Sequence, residues 1–135
     1  FMSPWDIKYS AEKILSQSNT NICLTERGYS FGYNNLVVDF RSIEVMKKLD
    51  FPIIFDATHS VQLPGGGESS GGQKEFIEAL STAAVSIGVS AVFAEVHNNP
   101  PAAISDGDNQ LNLDEFYLLA KKLIQFDMIA KNFKS

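Results

Sequence analysis

The chain has 135 residues, 44% hydrophobic and 20% charged, enough for one domain with a core of its own and an ordinary globular composition. Its formal charge of -5 argues against a nucleic-acid surface, which needs a positive field to neutralise phosphates, but leaves room for a small anion held by one or two well-placed cations. No apolar run approaches the ~20 residues that span a bilayer, and the first residues lack the basic, apolar and small-residue pattern of a secretory signal.

The chain opens Phe1-Met2-Ser3-Pro4, at a helix start with no strand ahead of it, and we expect the front of a larger protein to precede it. Ser3 as N-cap and Pro4 at the first helical position predict a helix to about Ser16, with Trp5 packed in its first turn. Asn21 to Glu26 reads as a buried strand. Cys23 lies between Ile22 and Leu24 and is expected to be buried with them; as the single cysteine it forms no internal disulfide, which fits a reducing compartment. A second helix is predicted from about Val38 to Leu49, and a second strand over Pro52 to Ala57. The stretch Leu63 to Gly72 is a glycine-rich loop, and no Gly-Lys-Ser/Thr follows to make it a Walker A loop. A third helix begins near Gln73, sets Phe76, Leu80, Ala83 and Ile87 on one face, and stops at Gly88. Ala91 to Val96 is the third strand. The last helix starts with Asn112 as cap and Glu115 three residues on, a capping-box spacing, and its periodicity predicts burial of Leu113, Phe116, Tyr117, Ala120, Leu123 and Ile124.

The order is helix-strand-helix-strand-helix-strand-helix, an α/β arrangement. Near-continuous apolar strands suit a parallel sheet covered on both faces. Strand starts fall roughly 30 to 40 residues apart, the length of a βα unit. A closed TIM (β/α)8 barrel takes about 250 residues, so residues 1–135 are expected to be the C-terminal part of a single barrel domain, its last three βα units plus the preceding helix.

Each strand runs into polar groups: Glu26-Arg27-Gly28 after the first, Asp56-Ala57-Thr58-His59 after the second, Glu95-Val96-His97 and then Ser105-Asp106-Gly107 after the third. In a barrel those ends converge on one mouth, where catalytic sites are built. His59, Glu95 and Asp106 make a suitable divalent-metal set of one imidazole and two carboxylates, although the separation of 36 positions between His59 and Glu95 leaves it to the fold to bring them together. The blander alternative is a hydrogen-bonded core histidine with acids that cap loops. Arg27 is a permanent cation able to hold a phosphate or carboxylate, or to pair with Glu26 or Asp56. The glycine-rich loop follows His59 closely enough to close over a substrate, or serves as a plain surface connection. His97 is open to a supporting role beside the metal or an ordinary structural hydrogen bond.

The motifs Glu26 to Asp39 (Glu-Arg-Gly-x-x-Phe-Gly-Tyr-Asn-Asn-Leu-Val-Val-Asp), Phe55 to Gln62 (Phe-Asp-Ala-Thr-His-Ser-Val-Gln), Ser70 to Gly72, Phe93 to His97 and Ser105 to Gly107 resemble the 3-deoxy-D-manno-octulosonate 8-phosphate synthase family over nearly the whole chain. The resemblance implies a transferase joining phosphoenolpyruvate to arabinose 5-phosphate and water, with His59 and Asp106 at the reacting end and His59, Glu95 and Asp106 around a divalent metal such as Mn, Zn or Fe. It implies that Arg27 holds the phosphoenolpyruvate phosphate, and that Gln62, Ser70 and Gly71 contact substrate from the cover over the sugar phosphate. It also implies no organic cofactor, small phosphorylated substrates with neither nucleic acid nor membrane as partner, a homotetramer, and a place in lipopolysaccharide synthesis in the cytoplasm. The family's other substrate-binding residues would precede residue 1, so the chain alone is expected to carry half of a site and to be inactive by itself. Two other readings stand beside it: the related 3-deoxy-7-phosphoheptulonate synthases, with erythrose 4-phosphate as acceptor, and a non-catalytic barrel-derived binding domain.

Overall fold

The computed structural model describes residues 2–30, 32–64 and 71–133. In chain order the elements are α1 (Ile7–Leu15), β1 (Leu24–Glu26), α2 (Arg41–Lys47), β2 (Ile53–Asp56), β3 (Gln62–Leu63), β4 (Gly71–Gly72), α3 (Ile77–Ile87), β5 (Ala91–Phe93) and α4 (Leu113–Asn132), with short 3-10 turns at His59–Val61, Lys74–Phe76 and Pro100–Ala102. The expected alternation of helices and strands is present. β1, β2 and β5 form one parallel sheet in that order, with Thr25 opposite Ile54 and Ile54 opposite Ala91.

This register sorts the side chains by face, since successive strand residues point to opposite sides. Leu24 and Glu26 line up with Ile53 and Phe55, and all four are buried. Against them pack Ile43 and Met46 of α2, Ile77, Ala84 and Val85 of α3, and Ala11 of α1. Complete burial of an aliphatic or aromatic side chain such as Ile53 or Phe55 contributes roughly 1.5–3 kcal/mol. The opposite face is different. Cys23, Thr25 and Ala91 are exposed there, and Phe93 is 44% exposed. Within the described residues the sheet is covered on one face, and Cys23, expected to be buried, is exposed on the other: an apolar run predicts a strand but not what lies across from each of its faces.

The helices also shift. Ser3 accepts the Ile7 N–H through its carbonyl and the Trp5 N–H through its hydroxyl, so it sets a turn and the regular helix begins only at Ile7. Trp5 is 64% exposed and does not pack. α3 buries Ile77, Ser81, Ala84 and Val85 and leaves Phe76 exposed, a face rotated from the one expected; Leu80 and Ile87 pack at its margin. Its end is as expected: Gly88 takes φ +95° and donates its N–H to Ala84 and Val85 carbonyls, a left-handed conformation that a side chain would disfavour. α4 begins with the predicted capping box, the Asn112 side chain accepting the Glu115 N–H at 2.8 Å and Glu115 accepting the Asn112 N–H at 2.7 Å.

The apolar stripe of α4 is largely uncovered. Leu119 is buried and Leu123 packs at the core's edge, whereas Leu113, Phe116, Tyr117 and Ile124 are exposed. The face that packs is the one carrying Leu119, Leu123 and Phe126, turned from the predicted stripe, which is corrected accordingly. Ion pairs Lys74–Glu115, at 2.6 Å, and Lys122–Glu78 tie α4 to the segment carrying α3. Among the described residues no helix is long and apolar enough to cross a membrane.

The glycine-rich stretch, expected to close over a substrate or to serve as a surface connection, has its two ends paired, and its residues 65–70 lie outside the described residues. β3 and β4 pair antiparallel, Gln62 opposite Gly72 and Leu63 opposite Gly71, so the ends of the stretch are clamped together directly after the turn that carries His59.

Candidate metal centre

Because β1, β2 and β5 are parallel, their C-terminal ends lie at the same edge of the sheet, and each leads into a residue singled out above. β1 ends at Glu26 and delivers Arg27; β2 ends at Asp56 and enters the 3-10 turn beginning at His59; β5 ends at Phe93, two residues before Glu95. Thr58, almost wholly buried, accepts the Glu95 N–H on its hydroxyl at 2.7 Å, and the Ala57 N–H reaches the Phe93 carbonyl at 2.9 Å. These bonds extend the β2–β5 pairing beyond the strands and bring the His59 turn beside Glu95. Leu111 then closes the loop by donating to the Glu95 carbonyl and accepting from the His97 N–H.

Asp106 reaches the same place from that loop. It sits at φ +54°, a region that Asp tolerates better than most side chains, and its carbonyl accepts the N–H groups of Asn109 and Gln110. The following Gly107 is required by space, because a Cβ there would lie 2.5 Å from the Pro100 carbonyl oxygen.

One donor atom each from His59, Glu95 and Asp106 lies within 4.8 Å of the others, all three residues partly buried. His59 Nε2 stands 3.7 Å from Glu95 Oε1. Each of the three has a polar atom held by a neighbour. Asp56 Oδ2 lies 2.7 Å from His59 Nδ1 and its Oδ1 accepts the His59 backbone N–H at 3.0 Å. Gln110 donates its amide N–H to Glu95 Oε2 at 3.0 Å and to the Ser105 carbonyl at 2.9 Å. Gln62 donates to Asp106 Oδ1. Phe93 stacks on the imidazole with ring centroids 6.0 Å apart and planes 19° from parallel. The arrangement suits a divalent ion: a mixed nitrogen and carboxylate donor set of the right span, with a hydrogen bond between each of the three side chains and a neighbour.

Arg27 belongs to the same array. Its guanidinium donates to Gln62 Oε1 at 2.8 Å, so one amide connects the cation to Asp106. Behind Arg27, Glu26 is 2% exposed and accepts the Gly28 N–H at 2.6 Å, which shapes the turn that presents the arginine. Burial pushes the Glu26 carboxyl above the usual carboxylate range, opposed by its hydrogen bonds to the Gly28 N–H and Tyr29 hydroxyl.

Of the residues picked out by sequence, the fold thus brings together His59, Glu95, Asp106, Arg27 and Gln62. Gly71 lies in the hairpin across from Leu63, and Ser70 lies outside the described residues. His97 accepts the Asn99 N–H on Nδ1 at 3.0 Å, the structural alternative. Asp56, Thr58 and Gln110 were not picked out as parts of the site. Asp56 carried a signal, an acid three residues before the histidine, which is the separation at which a strand end and the turn after it share a side; Thr58 and Gln110 carried none that local sequence reveals.

A model of the DAHP synthetase I family matches residues 1–132. Over 132 residues the chain is 56% identical to a protein of Geobacter sulfurreducens named 2-dehydro-3-deoxyphosphooctonate aldolase, an alignment covering 97% of this chain and 48% of that protein. Proteins of the same name from Pelobacter propionicus and Trichlorobacter lovleyi are 58% and 54% identical with the same coverage. The chain spans about half the length of the curated relatives it matches.

Proposed function

The chain belongs to the DAHP synthetase I family, and on that premise we propose that its site serves the condensation of phosphoenolpyruvate with arabinose 5-phosphate and water, giving 3-deoxy-D-manno-octulosonate 8-phosphate and phosphate. The observation that carries the reading is the convergence of Arg27, through Gln62, with His59, Glu95 and Asp106 at one edge of a parallel sheet. The shared name of relatives more than half identical to this chain supports the choice of product. In this reading the three-stranded sheet is a segment of a (β/α)8 barrel, and the open face carrying Thr25, Ala91 and Phe93 looks into its interior. The same resemblance extends the proposal to a cytoplasmic homotetramer working without an organic cofactor.

The reaction joins carbon 3 of phosphoenolpyruvate to the aldehyde carbon of the sugar. Water adds at carbon 2 and gives one proton to the aldehyde oxygen; phosphate then departs with its C–O bond cleaved and takes up the second proton as the carbon 2 ketone forms. Two anionic substrates must be held against their mutual repulsion, and fixing their separation and orientation removes much of the entropic barrier. Arg27 is suited to the phosphoenolpyruvate phosphate, because the planar fork of a guanidinium can donate two parallel hydrogen bonds to a phosphate. His59, Glu95 and Asp106 would hold a divalent ion, whose chemistry when bound is Lewis acidity toward an oxygen of the substrate or of water. Asp56 and Gln110 keep the donors turned toward the common point, and Gln62 sets the distance between the cation and that point. Gly71, paired across from Leu63, and its sequence neighbour Ser70 would contact the sugar phosphate.

The test is the choice of acceptor. Given phosphoenolpyruvate and Mn²⁺, the full-length gene product should release phosphate with arabinose 5-phosphate and much more slowly with erythrose 4-phosphate. Preference for erythrose 4-phosphate would assign the heptulosonate reaction instead, and turnover with neither sugar would leave a binding domain.

A further inference from the structure

Gln62 makes two contacts that bridge distant parts of the chain: its Oε1 accepts from Arg27 at 2.8 Å across 35 positions, and its Nε2 donates to Asp106 Oδ1 across 44 positions. An amide is the one neutral side chain of this length that presents an acceptor and a donor from the same carbon. A guanidinium only donates and a carboxylate only accepts, so the orientation of the amide is fixed by its neighbours. The backbone beneath it is fixed as well, by pairing with Gly72 and by the Gln73 N–H donated to the Val61 carbonyl at 3.0 Å. Gln62 is therefore a half-buried, doubly engaged side chain on a clamped hairpin, standing between the proposed anion-binding cation and a proposed metal carboxylate.

We propose that Gln62 is a positioning residue that couples the two halves of the site, so that loading of the metal position and binding of a phosphorylated anion at Arg27 are thermodynamically linked through its amide. The inference rests on the reading of His59, Glu95 and Asp106 as a metal position. An ion that draws Asp106 into one orientation fixes the Nε2 contact, which fixes Oε1 and with it the direction of the Arg27 fork. The reverse holds for an anion that fixes Arg27. Such a link is reciprocal: the factor by which the metal changes anion affinity equals the factor by which the anion changes metal affinity.

The test compares the full-length protein with Gln62→Met, which keeps the side chain's length and removes both hydrogen bonds. Calorimetric titration gives the dissociation constants for Mn²⁺ and for phosphoenolpyruvate, each with and without the other. The expected result is that Gln62→Met weakens both ligands by about three- to tenfold, the worth of a hydrogen bond or two, and reduces the linkage factor while circular dichroism and the thermal midpoint stay the same. A residue that merely supports the fold would not change the linkage factor. Unchanged linkage, or loss of affinity for one ligand only, overturns the proposal. If Gln62→Met does not fold, Gln62→Asn, too short to span both partners, carries the same expectation. Failure of the unsubstituted protein to bind Mn²⁺ removes the metal reading and this coupling together, whereas normal Mn²⁺ binding with linkage indifferent to residue 62 removes the coupling alone.

Discussion

Asp56 Oδ2 lies 2.7 Å from His59 Nδ1, and the other oxygen of the same carboxylate takes the His59 backbone N–H at 3.0 Å. A carboxylate at that position can only accept, so Nδ1 is the ring nitrogen that donates to Asp56, and Nε2 is the one turned toward Glu95 Oε1, 3.7 Å away. This is the carboxylate-histidine pairing that fixes tautomer and ring orientation at metal positions. We expect Asp56→Asn to lower the affinity for Mn²⁺ or Zn²⁺ by roughly 10- to 100-fold with secondary structure retained. Metal titration of the two proteins checks it, and equal affinities would remove Asp56 from the site.

Arg27 makes a different prediction. Arg27→Ala deletes a charged donor pair, and hydrogen bonds to charged groups contribute about 1.5–3 kcal/mol. The dissociation constant for phosphoenolpyruvate should therefore rise by roughly 10- to 100-fold, while helix content by circular dichroism is unaltered. An unchanged constant would place the phosphate elsewhere.

Glu26 predicts a dependence on pH. Its carboxyl is raised above the usual range chiefly by burial, so the folded state prefers it protonated. The stability tied to this group is fully present below the unfolded-state value and is lost as pH rises through the folded-state value. Glu26→Gln keeps an oxygen for the Gly28 N–H and removes the charge. The variant should gain stability over the parent as pH rises from the acid side to neutral, and the gain should shrink to nothing at low pH. Thermal midpoints across that range test the sign; a gain that grows on acidification contradicts it.

The start of α4 gives a local test. The capping box of Asn112 and Glu115 satisfies two backbone N–H groups that the helix leaves free, and Lys74 together with the Asn112 N–H lowers the Glu115 carboxyl. Asn112→Ala should cost about 1 kcal/mol of folding stability, read as a shift of the urea midpoint. No shift would mean that packing with α3 alone fixes this end.

How much of this was legible in the sequence follows from what each signal encodes. Polar residues within three positions of Glu26, Asp56 and Phe93 marked the strand ends, and parallel pairing brought Arg27, His59 and Glu95 to one edge. The Asn112 cap and the Gly88 stop were read correctly because both are local backbone chemistry. The β3–β4 hairpin was missed because two-residue strands built on Gly71 and Gly72 have no apolar pattern. Cys23 was expected to be buried because an apolar strand does not tell which of its faces is covered, and the α4 stripe because periodicity does not tell which apolar face a neighbouring helix meets. Thr58, Gln110 and the bridging role of Gln62 depend on partners 37, 15 and 44 positions away, and no window of sequence holds such pairs.

The most direct test of the metal centre is a crystal of the full-length protein grown with Zn²⁺, with diffraction recorded at the zinc absorption edge. We expect one strong anomalous peak within about 2.0–2.2 Å of His59 Nε2 and of a carboxylate oxygen from each of Glu95 and Asp106. A peak bound by other residues, or none at this edge of the sheet while zinc is in excess, would contradict the account.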